Sequence, residues 1–305
     1  MTPEAATPDP AGAGAMPAAE VDIDGELVRR LLADQHPDLA QRALVEVANG
    51  WDNVLFRLGD DLAVRLPRRR LAATLVEHEQ RWLPVLAPSL PLPVPTPIRV
   101  GRPTGYYPWS WSILPWFEGG PAGADPAIDG PAAARDIGRF LAALHRPAPA
   151  EAPVNRWRGG PLTGRDRHLR RRLDDLSDRV DTSDLVRRWE RCLAAPPWDG
   201  PPLWLHGDLH AHNIVSRDGR LVAVIDFGDI TAGDPATDLA VAWSLLDPVD
   251  HDAFRAAADS EARPMDRALW RRAEGWALAV GVALLASSAD NPAMDAMGRR
   301  MVGLT

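Results

Sequence analysis

The stretch His206-Gly207-Asp208-Leu209-His210-Ala211-His212-Asn213, followed by Val224-Ile225-Asp226-Phe227-Gly228, holds the residues best suited to chemistry. It sets an aspartate, an asparagine five residues later and a second aspartate thirteen residues beyond that. Phosphoryl transfer from a nucleotide needs a carboxylate to orient the attacking hydroxyl, and oxygen ligands for the magnesium that neutralises the phosphates. Asp208 suits the first task. Asn213 and Asp226 suit the second, because Mg²⁺ prefers oxygen donors and takes only a few from the protein. The rival chemistry is a metal-dependent hydrolase. His206, Asp208, His210 and His212 alternate, and imidazole with carboxylate suits zinc. That arrangement works only on a strand and leaves Asn213 and Asp226 without a role. The magnesium set is therefore preferred, with His206 as a histidine that hydrogen-bonds the loop backbone.

Short apolar runs flank these residues and must hold them. Trp204-Leu205 leads into the Gly207 turn, and Leu221 to Ile225 reads as a buried strand ending at Asp226. Further back, Asn53 to Leu58 and Leu62 to Leu66 alternate apolar and polar residues about the Gly59-Asp60-Asp61 turn, the pattern of an antiparallel hairpin. Helices are expected over 24–35 with Asp24 as cap, 71–86 with a kink at Pro84, 131–145, 165–180, 183–194, 238–246 and 265–289. Residues 109–117 read as a strand. Five prolines within 88–97 mark an irregular connector, and Glu118-Gly119-Gly120-Pro121 reads as a hinge. The expectation is an α+β fold in two lobes: a leader over 1–20, a strand-rich N-lobe over 21–118 that binds nucleotide, and a mainly helical C-lobe over 119–305 that carries catalysis and substrate binding.

Composition narrows the partners. The net charge of −8 argues against a nucleic-acid binder held by phosphate contacts. Residues 1–20 have no basic segment or long apolar core, so they read as a disordered leader rather than a signal peptide. The longest apolar run, 276–286, is too short to span a bilayer. The single cysteine, Cys192, suits a reducing cytoplasm. There is no lysine, so all 34 basic residues are arginines. Any side-chain cation that clamps a phosphate here must be arginine, a fixed fork of donors rather than a mobile point charge. The sequence sets no oligomeric state.

The two motifs, with Gly233-Asp234-Pro235-Ala236-Thr237-Asp238-Leu239-Ala240 after them, resemble those of the aminoglycoside phosphotransferase family, whose fold is protein-kinase-like. The resemblance covers roughly residues 40–290. It implies that ATP or GTP donates a γ-phosphoryl to a hydroxyl of a small molecule, with Mg²⁺ as cofactor. An aminoglycoside or related antibiotic such as a macrolide leads the acceptors. A primary metabolite, or a nucleotide-binding pseudokinase, is the alternative. The resemblance makes Asp208 the catalytic aspartate and Asn213 and Asp226 the magnesium ligands. Arg65, in Ala63-Val64-Arg65, stands where the family uses a lysine on the α- and β-phosphates. Its partner should lie on the next helix, where Glu79 falls in the stripe of Leu75, Trp82 and Leu86. Gly50 to Asn53 occupies the position of the phosphate-covering loop, and Ile113-Leu114-Pro115-Trp116 that of the segment facing the purine. Glu118, Asp247, Asp250 and Asp252 are acidic candidates for acceptor recognition.

Overall fold

The computed structural model describes residues 18–261 and 263–304. Most of the expected leader therefore lies outside the described residues. In chain order the elements are α1 (Gly25–Gln35), β1 (Leu44–Asn49), β2 (Asn53–Leu58), β3 (Leu62–Pro67), α2 (Arg70–Leu86), β4 (Arg99–Gly101), β5 (Trp111–Pro115), β6 (Gly120–Pro121), α3 (Gly130–Leu144), α4 (Asp166–Leu176), α5 (Ser183–Leu193), β7 (Leu203–Leu205), β8 (Ile214–Arg217), β9 (Arg220–Val224), β10 (Thr231–Gly233), α6 (Ala236–Leu239), α7 (Val241–Leu245), α8 (His251–Ala258), α9 (Arg267–Ser287) and α10 (Pro292–Val302). They fall into two compact units, one of residues 18–129 with 212–230, the other of 130–211 with 231–304.

The first unit is built on an antiparallel sheet of order β1-β2-β3-β5-β4. Leu58 pairs with Leu62 across the expected hairpin. Every residue of β3 is buried. Successive side chains of a strand point to opposite faces. Leu62, Val64 and Leu66 therefore join Val54, Phe56 and Leu58 in a core against Val28, Leu31 and Leu32 of α1. Asp24 caps that helix by accepting from Leu27 N–H at 2.8 Å. Ala63 and Arg65 project to the other face, toward α2. The same unit includes the β8–β9 hairpin, which a single cut at residue 118 would have assigned elsewhere. Backbone pairing is the reason: β6 pairs with β8, Asp129 N–H donates to Gly219 O, and Val224 N–H to Pro93 O.

The second unit is mainly helical. α9 is its axis, packed by α4, α5, α6, α7 and α10, while α3 packs on α8. Asp266 caps α9 by accepting from Leu269 N–H at 2.7 Å. The apolar run within α9 is buried: Trp276, Leu278 and Val282 are each 1% exposed. Among the described residues no helix is long and apolar enough to cross a membrane. The short pair β7–β10 supports the loop that carries Asp208.

Candidate active site

Arg65 organises the candidate residues of the first unit. Its Nη1 donates to both carboxylate oxygens of Glu79, at 2.6 and 2.7 Å, and its Nη2 donates to Asp226 Oδ1 at 2.8 Å. Burial opposes the guanidinium charge, but Glu79 and Asp226 outweigh it and raise its pKa. Glu79 is 4% exposed. A buried carboxylate needs such a partner, because desolvation alone would force it neutral. With its amide oxygen turned to the guanidinium, the orientation that satisfies both ends of the amide, Asn53 accepts from Arg65 Nη2 at 2.9 Å and Nε at 3.2 Å. Asn53 thus steadies Arg65 at the mouth of the 50–52 turn. That turn is held by Arg68, which donates to Gly50 O at 3.0 Å, and by Arg69, which donates to Asp52 Oδ1 at 2.9 Å.

Asp226 and Asn213 end neighbouring strands. Ile214 pairs with Val224, and Ile225 N–H donates to Asn213 O at 2.9 Å. This places residues Asn213 and Asp226 at the same end of the hairpin. Asp226 adopts φ 63°, in the left-handed region, a conformation that costs a non-glycine residue about 1–3 kcal/mol and clusters at functional sites. Buried Phe227 anchors the turn. The donor set fits magnesium: an amide oxygen and a half-exposed carboxylate, both oxygen ligands and few in number. Among the described residues no group of three or more His, Cys, Asp or Glu could hold a metal ion.

Pro115 and Trp116 end the segment expected to face the purine, and the backbone nitrogens of both are accounted for within the protein. Pro115 has no N–H to give, and the Trp116 N–H donates to Asp61 O at 2.8 Å. Arg57 lies over the Trp116 ring, 4.9 Å from its centroid. Neither residue has a backbone donor left for a base.

In the second unit, Asp208 sits on the loop after β7. Arg158 Nη2 donates to its Oδ1 at 2.9 Å, and His210 Nε2 is 3.7 Å from its Oδ2. Burial works to raise its pKa, but Arg158, then His210 and His206, hold the carboxyl below its usual range. The loop itself is fixed by Asp238, which is fully buried. Its carboxylate accepts from His206 N–H at 2.8 Å and Gly207 N–H at 2.9 Å, and His145 Nε2 lies 3.1 Å away. Gly207 has φ 89°, which only glycine adopts cheaply. His206 Nδ1 accepts from Asp208 N–H at 3.2 Å, the backbone-bracing role expected of it.

Arg158 is aimed by a relay that the sequence did not disclose. Arg272 of α9 donates to Asp234 at 2.7 Å, and Asp234 N–H donates to Gly159 O at 2.7 Å. Gly159 N–H donates to Thr237 Oγ1 at 3.1 Å. Gly159 has φ 70°, and a Cβ on Gly233 would lie 2.3 Å from its carbonyl oxygen, so both positions require glycine. Asp238 lies within α6 and braces the loop before Asp208. The signal available beforehand was the Gly233–Ala240 segment itself.

A sequence profile of the phosphotransferase enzyme family matches residues 43–276. The chain belongs to that family. Over 110 residues the chain is 27% identical to an aminoglycoside 3'-phosphotransferase of Escherichia coli, a match covering 35% of this chain and 41% of the relative. The chain thus spans about two-fifths of the length of the curated relatives it matches. A solved structure of the GDP complex of aminoglycoside 2'-phosphotransferase-IIIa superposes with TM-score 0.65 at 17% identity, covering 92% of this chain and 98% of that one. A macrolide 2'-phosphotransferase from Brachybacterium faecium superposes with TM-score 0.59 at 22% identity, covering 90% and 97%. At these identities the likeness is one of fold. The α+β, protein-kinase-like fold expected of the chain is the one it has.

Proposed function

We propose that this chain transfers the γ-phosphoryl of ATP or GTP to a hydroxyl of a small molecule, with Asp208 as catalytic residue and Asn213 and Asp226 as ligands of Mg²⁺. The reading rests above all on the Arg65–Glu79–Asp226 ion-pair chain. It joins a phosphate-gripping cation, the carboxylate that keeps it extended and a carboxylate suited to magnesium. The acceptor class is that of the related enzymes, which are named for aminoglycosides and macrolides.

In this reading the acceptor oxygen attacks the γ-phosphorus, the bond to the β–γ bridging oxygen breaks, and the nucleoside diphosphate leaves. Asp208 accepts a hydrogen bond from the acceptor hydroxyl and takes its proton late. A carboxylate with a depressed pKa is a weak base, so its main contribution is orientation. Arg158 and His210 keep it ionised and fix its direction. When bound, Mg²⁺ would neutralise charge on the phosphate oxygens. Arg65 steers the α- and β-phosphates, for which its planar fork offers two donors where lysine offers a point charge. The Cys192 thiol is buried and pushed up to about 12, chiefly by desolvation, which suits a structural residue in a cytoplasmic protein.

The test is nucleotide consumption against a panel of hydroxylated antibiotics and metabolites, with and without Mg²⁺. Acceptor-stimulated, Mg²⁺-dependent turnover is expected. Nucleotide binding with no turnover on any compound would mark a pseudokinase instead.

A further inference from the structure

We infer that Arg69 is a second phosphate-binding cation of this enzyme, and that Asp52 occupies its guanidinium until a nucleoside triphosphate takes the carboxylate's place. The inference rests on the phosphotransferase reading and deepens it at the nucleotide.

The first observation is that Arg65 is fully engaged. Its Nη1 donates to both oxygens of Glu79, its Nη2 to Asp226 and Asn53, and its Nε to Asn53. A phosphate can take a donor from it only in exchange for Asn53 or Asp226. One guanidinium also faces two carboxylates, so the trio carries surplus negative charge that repels a phosphate. The chain has no lysine to add. The adjoining turn offers little backbone: Gly50 N–H donates to Asn53 O at 2.9 Å, which closes a turn of only two residues, Trp51 and Asp52. A further side-chain grip on the phosphates therefore falls to another arginine.

Arg69 is placed to supply it. Asn53 accepts from Arg65 and the neighbouring Asp52 accepts from Arg69, so the two guanidiniums flank one turn of the first unit. Arg69 Nε, at 2.9 Å, and Nη2 both donate to Asp52 Oδ1. Two donors that converge on one oxygen leave the fork poorly matched, whereas a phosphate offers each donor its own oxygen. Exposure separates the pairs of the two arginines. The Asp52 side chain is 31% exposed, against 5% for Glu79. Releasing Glu79 would strand a buried charge. Releasing Asp52 returns its carboxylate to water, and a pair so placed holds its partner by at most about five-fold. The turn stays in place when that pair opens, because Arg68 holds it independently: Arg68 N–H donates to Asp52 O at 2.9 Å and its Nη1 to Gly50 O at 3.0 Å.

The experiment is calorimetric binding of non-hydrolysable ATP and GTP analogues with Mg²⁺, and of adenosine and guanosine, to the full chain and two variants. Asp52→Asn removes the competing charge at constant side-chain volume and should tighten the triphosphate about two- to five-fold. Arg69→Gln should weaken it about ten-fold. Nucleoside affinity and the melting curve should match the parent's in both. The opposite signs are the signature of a carboxylate standing in for phosphate. If the pair only staples the turn, both variants weaken the triphosphate alike, and the inference fails. Unchanged triphosphate affinity in Arg69→Gln, or an equal loss for the nucleosides, also overturns it. The expected affinities in a chain that phosphorylates no acceptor support the role of Arg69 and count against the phosphotransferase reading instead. A parent chain that binds no triphosphate overturns both.

Discussion

Arg65 carries two burdens that mutation can separate. Removing it takes the guanidinium away from both oxygens of the buried Glu79 carboxylate, which costs on the order of a few kcal/mol, and takes away the proposed phosphate clamp. Arg65→Ala should therefore fall in both melting temperature and nucleotide affinity. The pair Arg65→Met with Glu79→Leu, which replaces the buried ions by apolar volume, should recover the melting temperature but not nucleotide binding. If the double variant binds nucleotide like the parent, Arg65 is structural only. Asp208→Ala should lower kcat by on the order of 10²-fold or more while nucleotide affinity, measured by calorimetry, is kept. Arg158 is the strongest influence holding the Asp208 carboxyl low. Arg158→Met should thus raise the Asp208 pKa and move the acid limb of the kcat profile to higher pH. An unmoved limb would remove Arg158 from the site. Asp208, Asn213 and Asp226 were legible beforehand because their spacing is fixed along the chain. Arg158 was not, because it reaches Asp208 from fifty residues away and nothing in its local sequence distinguishes it from its arginine neighbours.

The loop before Asp208 takes its shape from an element downstream. Asp238 of α6 accepts two backbone N–H groups from it, one on a residue that flanks the left-handed Gly207. Asp238→Ala would strand those donors in the interior, where each unsatisfied group costs about 1–3 kcal/mol. The variant should lose several kcal/mol in denaturant unfolding, and kcat should fall more than nucleotide affinity. A full loss of stability with unchanged kcat per folded molecule would limit Asp238 to folding. The hairpin β2–β3 and the helices α1, α2, α3 and α9 were readable from period and caps. β1, α8 and α10 were not foreseen. β1 is an edge strand with most of its side chains exposed, so it carries little apolar alternation. Within the basic run 165–172, Arg165 and Arg172 are buried.

His145 connects this brace to the acid stability of the fold. It is fully buried beside Asp238, and desolvation lowers its pKa from 6.5 to about 4, with Arg263 adding to the effect. Between those values the unfolded chain binds a proton that the folded one does not, so stability falls as pH drops from about 6.5 toward 4. The difference is on the order of 3 kcal/mol. His145→Gln, which keeps a donor for Asp238, should flatten the dependence of unfolding free energy on pH in that window. An identical slope in the variant would mean that other groups set it. The same lack of lysine that makes Arg65 the proposed clamp makes arginine the cation of the ion pairs among the described residues wherever histidine is not involved, including Arg272–Asp234 beneath the Gly159 loop.

By itself the sequence determined the fold class, the strand and helix that hold Arg65 and Glu79, and the three oxygen-bearing residues of the two motifs. These depend on period and short spacing, which act within one element or one turn. Tertiary structure alone decided what surrounds them: Arg158 on Asp208, Asp238 under its loop, and the Trp116 N–H taken by Asp61. Those features depend on side chains brought together from distant positions, where burial and the need to match every buried charge or donor select the partners. Local sequence carries no record of that selection.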